Sequence, residues 1–145
     1  MDISEISNIL NRKYPMLLLD GVTHVEPGVK CHAYKNLSYN EWFFPEHFPK
    51  EPIMPGTLQI EAFTQAVAIP LLLVQKKYNT NGVPILLSGI DKIRFYKSVI
   101  PGDRFEIKAN IERISMGFAT ASVIGSVNNE TVSNCKITYK TLGKN

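Results

Sequence analysis

Cysteine is scarce in this chain. Cys31 and Cys135 are the only two among 145 residues, and they lie far apart. With no CxxC pair and no Cys/His ligand spacing, zinc ribbons, fingers and dithiol redox motifs are excluded. Both thiols are expected to be reduced, in a reducing compartment, although spacing alone leaves a disulfide open. Charge of one sign is also scarce. Sixteen Lys and Arg stand against 13 Asp and Glu, a net +3 with no dense basic run. That balance is too mild for nucleic acid but suits an acidic protein partner. Long hydrophobic runs are missing: the longest, residues 66–74, is too short to span a bilayer and contains Pro70. The first 15 residues, MDISEISNILNRKYP, hold acids and no apolar core of signal-peptide length. No repeat, low-complexity tract or linker interrupts the sequence. The expectation is one cytoplasmic domain over residues 1–145, without a membrane span. It is large enough to bury a core without metals or disulfides.

Ile3, Ile6 and Leu10 recur at spacings of a short amphipathic helix. Residues 17–26 read as a strand ended by Pro27-Gly28, and residues 29–37 as the next. The composition then shifts to WFFPEHFPKEPIMP, residues 42–55. Its four prolines each fix their own φ and restrict the residue before them, so the segment is a stiffened loop. Residues 56–78 follow as a helix apolar on nearly every face, and such a helix is buried all round. Pro70 lacks an N–H donor and predicts a kink or broken turn between Ala66 and Pro70. A turn is expected at residues 79–82, then strands at 85–98, 104–115, 118–127 and 131–139. Pro101-Gly102-Asp103, Met116-Gly117 and Asn128-Asn129 separate these strands, and the last three predict an antiparallel meander. The fold class is α+β: an antiparallel sheet wrapped around one long central helix.

Three features coincide between residues 47 and 61. His47 sits in the stiff proline loop, where a side chain is held in place. His24 and His32 lack such a setting and read as structural. Glu61 lies in the apolar helix, on one face with Thr57, Gln65 and Ala68. That stripe either faces water or lines a polar pocket, and periodicity leaves both open. Pro55-Gly56 opens the helix, where unpaired backbone N–H groups and the helix dipole stabilise negative charge. Glycine there lets a ligand approach the backbone closely. A base, an acid and an oxyanion donor together suit proton abstraction beside a carbonyl with loss of a β-hydroxyl. His47 would be the base. Glu61 would have to act in its acid form, which burial among apolar groups favours.

The run His47-Phe48-Pro49-x-x-Pro52-Ile53-Met54-Pro55-Gly56-x-Leu58-x-x-Glu61-Ala62-x-x-Gln65 resembles the active-site signature of bacterial 3-hydroxyacyl-[acyl-carrier-protein] dehydratases of the Z type. Tyr14-Pro15-x-Leu17-Leu18-Leu19-Asp20 resembles that family's N-terminal motif. Asn36, Asn40, Glu41, Phe43 and Phe44 match its approach to the histidine. Gly89-Ile90-Asp91, Arg94-Phe95 and Val99-Ile100-Pro101-Gly102-Asp103 resemble the next block. The resemblance implies a hotdog fold that dimerises by joining two sheets, commonly as a trimer of dimers. It implies a site at the dimer interface, with His47 of one subunit working with Glu61 of the other. His47 would remove the C2 proton, Glu61 would handle the C3 hydroxyl, and the Gly56 N–H would polarise the thioester carbonyl. It implies no metal or redox cofactor. Acyl carrier protein is the implied partner, with Arg94, Lys97 and Arg104 as candidate contacts beside a reading of them as ordinary surface charge.

Three positions depart from the family pattern. Glu46 stands where Gly usually precedes the histidine, Arg12 stands where the N-terminal motif usually has His, and Pro70 is foreign to the helix. Two alternatives accompany the dehydratase: a hotdog thioesterase, which would need a placed water more than a C2 base, and a non-catalytic acyl-binding subunit.

Overall fold

A computed structural model describes residues 1–77 and 85–141. Helix α1 (Ile3–Leu10) is closed at its start by a capping box, with Asp2 and Glu5 side chains and backbones paired reciprocally. Its Ile6 is fully buried. Strands β1 (Gly21–Glu26) and β2 (Lys30–Asn36) form a hairpin. Helix α2 (Gly56–Lys77) follows the proline loop. Strands β3 (Ile85–Phe95), β4 (Arg104–Ser115), β5 (Phe118–Val127) and β6 (Glu130–Thr141) complete one sheet in the order β1-β2-β4-β5-β6-β3. Every neighbouring pair is antiparallel, and β4-β5-β6 is the expected meander.

The sheet wraps α2, which packs against β2 through β6. This is the hotdog arrangement. Alternation along β4 turns Phe105, Ile107 and Ala109 inward, and along β5 Ala119, Ala121 and Val123. The alanines on this inner face, with Ala62 and Ala66 on α2, leave room for a whole helix inside the curved sheet. Phe63 and Phe105 fill the widest part, their ring centroids 5.7 Å apart. Burying each such ring contributes roughly 1.5–3 kcal/mol.

Some expected boundaries move. Residues 17–20 do not join β1, because the Leu18 N–H is drawn to the Gln65 side chain and both Leu18 and Leu19 are buried. β3 ends at Phe95 instead of residue 98, where Tyr96 and Lys97 donate to the single carbonyl of Val132. β6 is longer than expected at both ends. α2 is helical without interruption, so the broken turn before Pro70 is absent. The hairpin also touches the helix here, where the N–H of Gly28, at φ +73°, donates to the Pro70 carbonyl at 3.0 Å; this ties the two together but does not replace the bond to the Ala66 carbonyl that Pro70 lacks. The expected turn at residues 79–82 and the last helical residue, Tyr78, lie outside the described residues. α2 is also long and apolar enough by composition to cross a membrane, unlike the shorter run counted from sequence. Here its apolar faces are largely buried under the sheet.

Candidate active site

His47 is held by its own backbone and by the irregular segment that leads into α2. Its N–H donates to the Phe44 carbonyl, and its carbonyl accepts from Ile53 N–H at 2.8 Å. The ring nitrogen Nδ1 lies 3.0 Å from the Ile53 carbonyl oxygen. A carbonyl only accepts, so Nδ1 carries the proton in this contact, and in the neutral tautomer Nε2 holds the lone pair. Phe48 stacks on the imidazole with centroids 4.3 Å apart. Met54 N–H then pairs with the Val99 carbonyl at 2.7 Å, and the Pro55 carbonyl accepts from Leu58 and Gln59 N–H to start α2. The histidine is thus fastened at Ile53, three residues before the first residue of the helix. Gly56 is the first helical residue, so its N–H has no partner within the helix. A Cβ there would meet Phe95 Cζ at 2.7 Å.

Glu61 faces a cavity of about 820 Å³ between α1, α2, β3 and Tyr139 of β6. Glu61, Gln65 and Ala68 of the stripe that sequence left open between water and a pocket line this cavity, with Thr64 and Leu72 beside them, whereas Thr57 is exposed and does not line it. The fully apolar setting expected for Glu61 is absent. Its side chain is 25% exposed, with Arg12 Nη1 at 3.6 Å from Oε1. Gln65 Nε2 donates to the same Oε1 at 3.0 Å and to the Met16 carbonyl at 2.7 Å, while Gln65 Oε1 accepts from Leu18 N–H. Tyr139 donates to the Thr64 carbonyl, and burial pushes its phenol up to about 12. Sequence reasoning missed Arg12 and Tyr139 as neighbours of Glu61, since no local spacing connects them. Glu61–Gln65, at i and i+4, was visible in the stripe.

His47 is not among the residues lining the Glu61 cavity. Glu46 is exposed, and among the described residues no ion pair joins it to His47. His24 and His32 face each other across β1 and β2, with ring centroids 5.8 Å apart. Partial burial, then the charges of Lys108, His24 and Lys30, lowers the His32 pKa. Cys31 and Cys135 are both buried and unbonded. No cluster that could hold a metal occurs among the described residues. The three cations considered for a partner are engaged locally: Lys97 with Glu130 at 3.1 Å, Arg104 with Glu106 and the Tyr34 ring, Arg94 with its neighbouring carbonyl.

A family model described as a FabA-like domain matches residues 10–136. The chain belongs to the FabA-like family. Two relatives place this FabA-like protein further. It is 42% identical over 137 residues to the 3-hydroxyacyl-[acyl-carrier-protein] dehydratase FabZ of Clostridium tetani (strain Massachusetts / E88), covering 94% of each chain. It is 38% identical over 139 residues to the FabZ of Clostridium novyi (strain NT), covering 96% of each. Among solved structures, the dehydratase heterocomplex ApeI:P from Xenorhabdus doucetiae superposes with a TM-score of 0.80 at 18% identity, over 96% of this chain and 91% of that one. At that identity the likeness speaks for the fold. The FabA-like chain thus carries a family scaffold in which Arg12, a departure from the motif, stands beside Glu61.

Proposed function

We infer that the protein is a hydro-lyase that dehydrates a 3-hydroxyacyl thioester, carried on acyl carrier protein, to the trans-2-enoyl thioester during fatty-acid or related acyl-chain synthesis. The observation that carries this reading is the His47 Nδ1 to Ile53 carbonyl contact. In the neutral tautomer this contact leaves Nε2 as the proton acceptor. His47 Nε2 takes the C2 proton, and the C2–H electron pair forms the C2=C3 double bond. The C3–O bond breaks, and the leaving hydroxyl takes a proton from Glu61 to depart as water. Both contacts to Glu61 fall on Oε1, so Oε2 is the oxygen left for that hydroxyl. Negative charge that builds on the thioester oxygen is met by the Gly56 N–H and the helix dipole. The relatives named FabZ support the reaction and the carrier.

The site is completed by a second copy of the chain. His47 lies outside the cavity that Glu61 lines, which favours His47 of one protomer acting with its partner's Glu61. β3 is an edge strand, and its Leu86 and Leu87 are about half exposed. Pairing two β3 edges would cover them and join two sheets. Three such dimers, in the cytoplasm, are the assembly this reading adopts.

The test follows enoyl absorbance and free thiol together, using short 3-hydroxyacyl and 2-enoyl thioesters on carrier protein and on coenzyme A. Interconversion without thiol release, lost in His47→Ala and in Glu61→Gln, is the expected result. Thiol release would replace the dehydratase by a thioesterase. No turnover across several chain lengths would leave a non-catalytic acyl-binding subunit.

A further inference from the structure

Lys35 and Glu41 form an ion pair that the chemistry above does not use. Lys35 belongs to β2 and lies opposite Phe105 of β4. Its Nζ is 3.2 Å from Glu41 Oε1, and the two side chains are 6% and 19% exposed. The other ion pairs among the described residues are far more open to water at one or both ends. Removing two charges from water is costly, and a buried pair is weak as a source of stability. Its value is directional. It holds one point of a loop to one point of a sheet.

That point is where the path to the histidine begins. The Glu41 carbonyl accepts from Phe44 N–H, the Phe44 carbonyl from His47 N–H, and the His47 carbonyl from Ile53 N–H. Phe43 and Phe44, between the ion pair and the histidine, are buried. Two successive turns therefore run from Glu41 to His47, with Phe43 and Phe44 locked in the core, and the Ile53 N–H holds His47 from the far side. A shift at Glu41 has little slack to absorb it before His47.

We propose that Lys35 and Glu41 are positioning residues for the His47 base, acting through this chain of turns. The proposal rests on the acid–base reading of His47 given above. Displacement of a base by about 1 Å costs up to roughly a hundredfold in rate. Lys35→Met and Glu41→Gln should therefore lower kcat roughly tenfold to a hundredfold, with KM changed less than about twofold.

The test measures kcat and KM for these variants, for Lys35→Arg and for Lys35→Met/Glu41→Leu. Thermal melting and the ¹H–¹⁵N imidazole spectrum of His47 are recorded alongside. The expected spectrum of the wild type shows a protonated Nδ1. In Lys35→Met and Glu41→Gln that signal should shift or broaden, and Lys35→Arg should restore both signal and kcat. The double variant replaces the pair by apolar groups, so it should fold even where Lys35→Met does not, and its kcat should remain low. Unchanged kcat in Glu41→Gln, full activity in the double variant, or an unmoved His47 spectrum in folded variants would each overturn the proposal. The spectrum reports on His47 without turnover, so an inactive wild type would sink the dehydratase reading while the positioning claim is still decided.

Discussion

Gln65 joins Glu61 to the segment before β1: its amide nitrogen is 3.0 Å from Glu61 Oε1 and 2.7 Å from the Met16 carbonyl, and its oxygen accepts from Leu18 N–H. One side chain thus satisfies two backbone groups and fixes a carboxylate. Gln65→Leu keeps much of the volume but strands the Leu18 N–H and the Met16 carbonyl. Each orphaned group costs roughly 1–3 kcal/mol. The melting temperature should fall by roughly 6–20 °C, and turnover should fall about tenfold as Glu61 loses its orienting donor. Calorimetry and the enoyl assay on one preparation check both. A variant that melts lower but turns over normally would show that Gln65 serves only the fold.

Much of this arrangement was legible in the sequence. The turn residues Met116-Gly117 and Asn128-Asn129 marked both turns of the meander, because left-handed backbone there is carried by Met116, Gly117, Asn128 and Asn129 themselves, although β6 begins one residue earlier than expected. The stripe of Glu61 and Gln65 was visible at helical spacing. What it faced was not, since Arg12, Leu18 and Tyr139 reach it from the segment after α1, the loop before β1, and β6. Pro70 misled because the rule for an interior proline is local. Burial of Ala66, Val67, Ala68, Ile69 and Pro70 inside the sheet holds the helix through the proline, and that packing is not announced by any helical pattern.

Gly56 separates a cost in stability from a cost in chemistry. An added Cβ would lie 2.7 Å from Phe95 Cζ and 3.0 Å from Cε1, so the ring must move. Phe95 is 49% exposed and able to yield, so the strain should be about 1 kcal/mol. Replacing a helical glycine by alanine returns up to about 1 kcal/mol. The melting temperature of Gly56→Ala should therefore stay within a few degrees of wild type. The methyl group and displaced ring crowd the N–H that would polarise the thioester, so kcat/KM should fall about tenfold or more. Gly56→Ala/Phe95→Ala should be more stable than Phe95→Ala alone, because the clash is gone. A Gly56→Ala enzyme of normal activity would remove this N–H from the mechanism.

Alkaline pH should weaken the fold through three buried groups. Burial raises the Cys31 thiol from 9.0 to about 12 and the Cys135 thiol from 9.0 to about 11. It also raises the Tyr139 phenol from 10.0 to about 12. In each case the unfolded chain releases its proton first. Their contribution is therefore complete below about pH 9 and is lost as pH rises toward 12. Melting curves from pH 7 to 11 should be flat to about pH 9 and then decline. Cys31→Ala should flatten the decline from its onset, and Tyr139→Phe only above about pH 10. At pH 8 neither thiol should react with a disulfide reagent until the protein is unfolded. A thiol that reacts promptly in the native protein would contradict the burial described.

The separation of His47 from the Glu61 cavity can be tested by mixing two inactive proteins. In a shared site, a dimer of His47→Ala with Glu61→Gln holds one centre with both native residues and one with neither. Random exchange makes about half the dimers mixed, so about a quarter of wild-type activity should return. The proteins are denatured and refolded together, separately refolded samples serve as controls, and activity is read from enoyl absorbance. Recovery near that level means that the base and the acid come from different chains. No recovery, with mixed dimers verified by mass spectrometry, would place both groups of each centre in one chain. β3 pairing would then be only a means of covering Leu86 and Leu87.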